Sequence, residues 1–326
     1  MISIVIPALN EQDAIGDTVQ RVRATLEAAK LVPHEIIVVD DGSQDETGIR
    51  AAAAGARVIR HPHNAGYGHS LKDGIRDARY DLIAITDADG TYPIESLPML
   101  VERYRNGFDM VVGARSGTHY RESLIKMPLR WILRSLVEWT ASRKIPDINS
   151  GLRVFRRSTV LGYFDHLCDT FSFTTSLTLA YTMTGRFVDY VTIDYRARIG
   201  KSKVKLLRDS TRTIQYILEA AIYYNPLRIF LLMSMLVVAA AILSFSVALA
   251  TQLHVFYFMG IGGMIAALFI FSLGLLAALL RQIMIKTSAE RQTYEAQPLD
   301  DRRDQSPHNG GSPSAAEFDL QSNLVN

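Results

Sequence analysis

Apolar residues along the first two hundred or so positions follow two alternating rhythms. Ile2 to Ile6 is a short β-branched run closed by Pro7, which predicts a buried strand. The polar stretch from Glu11 to Ala29 carries Ile15, Val19, Val22 and Leu26 at three- and four-residue spacing, which predicts one buried face of a helix. Glu35 to Val39 is a second strand, stopped by Asp40-Asp41-Gly42-Ser43. Thr47 to Ala54 reads as a helix, Arg57 to Ile59 as a third strand and Gly66 to Ala78 as another helix. Asp81 to Thr86 is a fourth strand running straight into Asp87-Ala88-Asp89. Leu97 to Tyr104 is helical and Asp109 to Gly113 is a fifth strand. Strand and helix in alternation imply βαβ units and a mostly parallel α/β sheet covered on both faces.

Further along, the rhythm gives way to unbroken apolar runs. No charged residue occurs from Ile229 to Ala250, nor from Val255 to Leu280. Each run exceeds the roughly 20 residues that cross a hydrocarbon core. Only Thr251-Gln252-Leu253-His254 separates them, so a transmembrane hairpin is expected. Arg228 precedes the first run, Arg281 and Lys286 follow the second, and the turn carries neither Lys nor Arg. The positive-inside bias then puts both ends and the large domain in the cytoplasm. Leu124 to Trp139 interleaves apolar residues and two tryptophans with Lys126, Arg130 and Arg134, as a basic helix at a membrane interface would. A core-facing helix is the plainer reading of that segment. Val204 to Tyr224, basic at first and then apolar and aromatic, is a second interface candidate. The expected organisation is a catalytic domain over 1–204 with an interface helix at 118–142, and a juxtamembrane helix at 205–225. A hairpin over 226–286 and a polar, disordered tail over 287–326 complete it.

Charge adds little. A net charge of +2 gives no global field for nucleic acid. The single cysteine, Cys168, forms no internal disulfide and is compatible with a reducing compartment. The first residues lack the basic start and long apolar run of a signal peptide.

Chemistry gathers where strands end. Ligands of open α/β sheets bind beyond the carboxyl ends of the strands. Asn10-Glu11, Asp40-Asp41 and Asp87-Ala88-Asp89 all fall there. Glycine-rich phosphate loops are absent, so a ligand at this rim would be held largely by carboxylates, through a metal. Two carboxylates two residues apart suit a hard cation such as Mg²⁺ or Mn²⁺, which can bridge protein and diphosphate. The plainer readings are a polar turn at each Asp cluster and a helix N-cap at Asn10.

Together, the segments 4–11, 36–43 and 86–89 resemble the inverting, GT-A-fold family 2 glycosyltransferases. Val111-Val112-Gly113-Ala114-Arg115, Asp147 to Arg153 and Tyr195 to Lys203 narrow the resemblance to the polyprenyl-phosphate glycosyltransferases. That likeness covers roughly residues 2 to 205 and implies a Rossmann-like sheet domain followed by interface helices and a two-helix hairpin. It implies nucleotide contacts from Pro7, Leu9 and Glu11. It implies a base-binding pair at Val38 and Asp40, or at Val39 and Asp41 one step later. Asp87, Ala88 and Asp89 match the diphosphate segment, with Asp89 the expected direct metal ligand and Asp87 serving ribose or diphosphate. Thr91 stands where mannose synthases carry a metal-contacting Gln, so Thr91 or water completes the shell. Arg115, Arg130, Arg134, Ser135, Arg198 and Lys203 are the residues expected to hold donor or lipid phosphate, with Arg115 and Arg198 joining Asp87 and Asp89 as catalytic residues. Arg153 and Arg196 are further basic candidates.

The implied reaction moves a hexose from a nucleotide-diphosphate sugar, UDP-glucose-like favoured and GDP-mannose the alternative, to polyprenyl phosphate at the cytoplasmic leaflet, with a divalent cation. A phosphate monoester is already anionic near neutral pH and needs positioning more than a strong base. Arginine's planar fork suits that task. One rival is a processive polysaccharide synthase, disfavoured by Met127 in place of the usual Gln before Arg130-Trp131 and by too few spans. The other is a non-catalytic, membrane-tethered nucleotide-binding subunit, in keeping with Leu9 where many relatives carry Tyr. Gly260, Gly262, Gly263 and Gly274 would permit close helix packing in a homo-oligomer.

Overall fold

A computed structural model of the chain describes residues 1–117, 143–196 and 222–296, together with Ser135, Glu138, Trp139, Gln215, Leu218 and Glu219. The elements in order are β1 (Ile2–Ala8), α1 (Ile15–Ala28), β2 (His34–Asp40), α2 (Thr47–Ala53), β3 (Arg57–Arg60), α3 (Tyr67–Asp77) and β4 (Leu82–Ile85). A short 3₁₀ turn leads into α4 (Leu97–Arg105), followed by β5 (Met110–Ser116), β6 (Arg153–Arg156), α5 (Arg157–Leu161), α6 (Phe173–Met183) and β7 (Val188–Asp194).

The seven strands form one sheet in the order β3-β2-β1-β4-β6-β5-β7. β1 pairs in parallel with β2 and β4, β2 with β3, and β5 with β7. Among the described strands only β6 runs against its neighbours β4 and β5. The side-chain period of two explains how an unbroken apolar run serves both faces. Ile2, Ile4 and Ile6 of β1 join Ile36 and Val38 of β2 in a core against α1 and α4. Val5, Ile37 and Val39 point the other way, into a core with α3 and α6. Each such side chain contributes about 1.5–3 kcal/mol by leaving water, so the sheet is over-determined in register.

Three sequence expectations shift. The first helix starts at Ile15 rather than Glu11, with Ala14 at its N-cap and no side-chain cap. Asn10 takes a left-handed backbone, φ 47°, and its Oδ1 accepts from Gln44 N at 2.8 Å. The side chain whose plainer reading is a cap therefore ties two loops together instead. The fifth strand runs on to Ser116, which places Arg115 in regular sheet.

The apolar runs form α7 (Pro226–Thr251) and α8 (His254–Ala296). Pro226–Thr251 and His254–Met284 are each long and apolar enough to cross a membrane, and are little buried. Asn225 accepts from Arg228 N at the start of α7, and Gln252 turns the chain in a left-handed conformation, φ 58°. α8 continues past Lys286 to Ala296, into the stretch expected as a tail, because residues 287–296 hold no Gly or Pro to stop it. Contacts divide the chain into Met1–Gly274 and Leu275–Asn326. Immediately before α7, Tyr224 is 8% exposed and belongs to the core that holds Phe173, Leu177 and Tyr181. Tyr223 lies against the His166 ring, 4.2 Å between centroids. Trp139 stacks under the Arg228 guanidinium at 4.6 Å.

Candidate active site

The carboxyl ends of β1, β2, β3 and β4 lie side by side, and the loops leaving them are stitched to one another. Asn10 N donates to Ser43 Oγ at 2.9 Å and Glu11 N donates to Thr47 Oγ1 at 2.8 Å. Beside this stitching opens a cleft of about 810 Å³, lined by Leu9, Asn10, Gly42 to Gln44 and Arg60 to Asn64. Gly42 is required there. Its φ is +75°, and a Cβ would stand 2.6 Å from the His63 carbonyl carbon.

Asp40 and Asp41 are both buried, 1% and 4% exposed. Asp40 Oδ1 accepts from Ser43 N at 2.9 Å, and its Oδ2 lies 3.7 Å from Arg60 Nε. Asp41 accepts from Ala65 N and Gly66 N at 2.8 and 2.9 Å, and His61 Nδ1 is 2.8 Å from its Oδ1. Asp41 thus buttresses the 61–66 wall of the cleft. Val38 and Pro7 lie within the sheet, and Val38 is wholly buried.

At the end of β4, Asp87 is half-buried and accepts from Tyr67 Oη at 2.8 Å. Tyr67 stacks on exposed Phe171, 5.6 Å between ring centroids. Burial, then the Asp87 charge, pushes the Tyr67 hydroxyl well above its ordinary range, so it remains a donor. Gly151 faces the Asp87 carboxylate so closely that a Cβ would stand 2.8–3.0 Å from it, and Gly151 N donates to Tyr92 Oη at 2.6 Å. Asp89 is 5% exposed. Thr91, fully buried, donates to Asp89 Oδ1 from both hydroxyl and backbone, at 2.6 and 3.1 Å. Thr91 therefore orients Asp89.

Two carboxylates on one loop suit a hard divalent ion that keeps water and takes diphosphate oxygens for its remaining ligands. Among the described residues no group of three or more His, Cys, Asp or Glu could hold a metal by itself. The residues fit an ion shared with a substrate, not one caged by protein.

Arg115 reaches this rim from β5. Its Nε and Nη2 donate to Asp147 Oδ2 and Oδ1 at 2.7 and 2.9 Å, and its backbone N adds a third bond at 3.1 Å. Burial would raise the Asp147 carboxyl, but the Arg115 hydrogen bonds and charge outweigh it and hold the group below the usual range. The Arg115 guanidinium also lies 5.4 Å from the Tyr195 ring, and the backbone N of Arg196, the next residue, donates to Thr91 O at 2.9 Å. Through the Tyr195–Arg196 pair, Asp89, Thr91, Arg115 and Asp147 form one continuous chain of contacts.

Arg153, a basic candidate from sequence, is placed elsewhere. It is 0% exposed and donates to Ser150 O, Ile148 O and Thr178 Oγ1. It cannot reach a phosphate at the rim; it pins the 147–150 loop to α6. Arg196 donates to Glu95 Oε2 at 3.1 Å. Ser135 is helical and half-buried, whereas Arg130, Arg134, Arg198 and Lys203 lie outside the described residues. Sequence reasoning missed Tyr67, Tyr92 and the Arg60–Asn64 wall, and gave Gly151 no role beyond its place in the Asp147 to Arg153 segment. The cluster His61-Pro62-His63-Asn64 after a strand was the one local signal for that wall.

Residues 3–164 match the sequence profile described as Glycosyl transferase family 2. The chain is 30% identical over 236 residues to an undecaprenyl-phosphate 4-deoxy-4-formamido-L-arabinose transferase from Yersinia enterocolitica, covering 70% of this chain and 69% of that one. A transferase of the same description from Yersinia pestis is 31% identical over 253 residues, covering 75% and 73%. Among solved structures, glucosyl-3-phosphoglycerate synthase from Mycobacterium tuberculosis shares the fold at a TM-score of 0.56 and 24% identity, covering 68% of this chain and 80% of that one.

Proposed function

The chain belongs to glycosyl transferase family 2, and from that premise we propose that it transfers a sugar from a nucleoside-diphosphate donor to polyprenyl phosphate in the cytoplasmic leaflet, with inversion at the anomeric carbon. The observation that carries the acceptor is the junction at Tyr224: the core of the transferase domain runs directly into two membrane-length apolar helices. Relatives named for undecaprenyl phosphate support the same acceptor. Their sugar is a modified pentose, so the donor panel must extend beyond the UDP-hexose that the sequence favours.

In this reading the nucleoside occupies the cleft between the ends of β1, β2 and β3, with Leu9, Asn10 and the 60–64 segment as its walls. Asp87 and Asp89 face the diphosphate. Asp89 and Asp87 would hold a divalent ion, which would supply charge neutralisation for the diphosphate leaving group. Thr91 and Tyr67 hold the two carboxylates in fixed orientation. Arg115, itself aligned by Asp147, presents positive charge to the acceptor phosphate, which attacks without needing a strong base. Preorganised charge and alignment of donor and acceptor supply the rate.

The test uses purified full-length protein, undecaprenyl phosphate, Mn²⁺ or Mg²⁺, and labelled UDP- and GDP-sugars including UDP-glucose and a UDP-4-formamido-arabinose. A lipid-linked monosaccharide that disappears in Asp89→Ala is expected. No lipid-linked product from any donor would reject the proposal, and a polymer would favour a polysaccharide synthase.

A further inference from the structure

We propose that His61 is a positioning residue for the donor nucleotide, acting through Asp41 on the wall of the cleft. The inference rests on the nucleotide-donor reading above.

His61 is 10% exposed at its side chain and lies between two carboxylates. Its Nδ1 is 2.8 Å from Asp41 Oδ1, and its Nε2 is 3.2 Å from Asp73 Oδ2 on α3. Asp73 is held in turn by Arg76 at 2.7 Å and lies 3.3 Å from His69 Nε2. An ionised carboxylate only accepts, so Nδ1 carries the proton toward Asp41. Asp41 Oδ1 also accepts from Ala65 N and its Oδ2 from Gly66 N. Residues 61 to 66 are therefore closed into a ring around a single buried carboxylate.

That ring is the outer wall of the cleft, since Arg60 to Asn64 line it. The wall meets the opposite loop at Gly42, where the His63 backbone would touch any Cβ. Without the His61 donor, one lobe of Asp41 loses a partner while the desolvation of the carboxylate remains. The 61–64 segment then has fewer anchors, and the cleft is no longer preorganised for a nucleoside. The carboxylates that face the diphosphate have partners of their own, Tyr67 and Thr91. The consequence should therefore fall on donor binding rather than on the chemical step.

Three substitutions separate this role from simple space filling. Asn carries an amide N–H near the position of Nδ1; Leu fills space without a donor; Ala does neither. Full-length His61→Ala, His61→Leu and His61→Asn are compared with wild type by titration with UDP and GDP in the presence of Mn²⁺, and by KM and kcat for the donor that wild type uses. His61→Ala and His61→Leu should weaken nucleotide binding and raise donor KM about tenfold, with kcat within about threefold of wild type. His61→Asn should restore most of the binding. Binding by His61→Leu equal to wild type, or a loss confined to kcat, would overturn the assignment of His61. Failure of wild type itself to bind either nucleotide would instead overturn the donor reading and this one with it.

Discussion

Asp147→Asn makes the sharpest test of how Arg115 is held. The substitution keeps the side chain's shape and replaces one acceptor oxygen by an NH₂ donor. Asp147 Oδ2 accepts from Arg115 N and Nε, and Oδ1 accepts from Arg115 Nη2 and Asn149 N. Whichever way the amide turns, two of these four donors face another donor. One of the two always belongs to the guanidinium, whose side chain is 16% exposed, against 3% for Asp147. Stranding a neutral donor costs about 1–2 kcal/mol and a charged one about 1.5–3 kcal/mol. The sum is about 2.5–5 kcal/mol, which overlaps the range for breaking a largely buried pair. For a domain of this size that corresponds to a fall in Tm of about 5–20 °C, measured by thermal unfolding of the full chain in detergent at pH 7. The pH dependence has a definite sign. Asp147 titrates below its ordinary value of 3.8 in the folded protein, so its stabilisation is complete above that value and is lost as pH falls through the folded pKa. The gap between wild type and Asp147→Asn should therefore narrow as pH drops from about 5 toward 3. A Tm within 2 °C of wild type at pH 7, or a gap that widens in acid, would refute the account.

Three further outcomes follow from the site. Gly151→Ala drives a methyl into the Asp87 carboxylate and should cut kcat about a hundredfold while the protein stays folded, as seen by circular dichroism. Thr91→Val removes the hydroxyl bond to Asp89 and should raise the Mn²⁺ concentration for half-maximal activity about tenfold, read from a metal titration. Gly42→Ala must accept both a left-handed φ and contact with the His63 backbone. It should destabilise by about 2–4 kcal/mol in denaturant unfolding and weaken nucleotide binding.

The parallel strands were legible because a strand buried on both faces is a plain run of Ile and Val, as in Ile36 to Val39. The antiparallel β6 was not, because Arg153-Val154-Phe155-Arg156 begins and ends on arginine. Only folding shows that Arg153 is interior, since its acceptors at Ile148, Ser150 and Thr178 are assembled from two segments. α6 was hidden for a related reason. Its threonines look polar in sequence, yet Thr178 and Thr182 donate to the carbonyls of Thr174 and Thr178 and so can be buried. At the site, Asp87 and Asp89 stood out because two carboxylates followed an apolar strand. Tyr67 and Gly151 did not, because their link to Asp87 spans distant sequence and is made of a ring hydroxyl and a missing methyl. The plainer reading of Asn10 as a cap fails because capping rules consider only the helix that follows; Gln44 N, from another loop, takes the same oxygen.

The burial of Tyr224 beside the start of α7 has a kinetic side. A catalytic domain on a loose tether would meet its substrate at a concentration set by linker length. With Tyr224 packed into the domain's own interior two residues before the first span, the tether is short and anchored. In a bilayer the cleft would ride at a fixed height and tilt, and enzyme and lipid acceptor would meet by lateral diffusion in a plane. Saturation by the acceptor would then be governed by its mole fraction in the membrane, and diluting vesicles at constant lipid composition would leave the rate per enzyme unchanged.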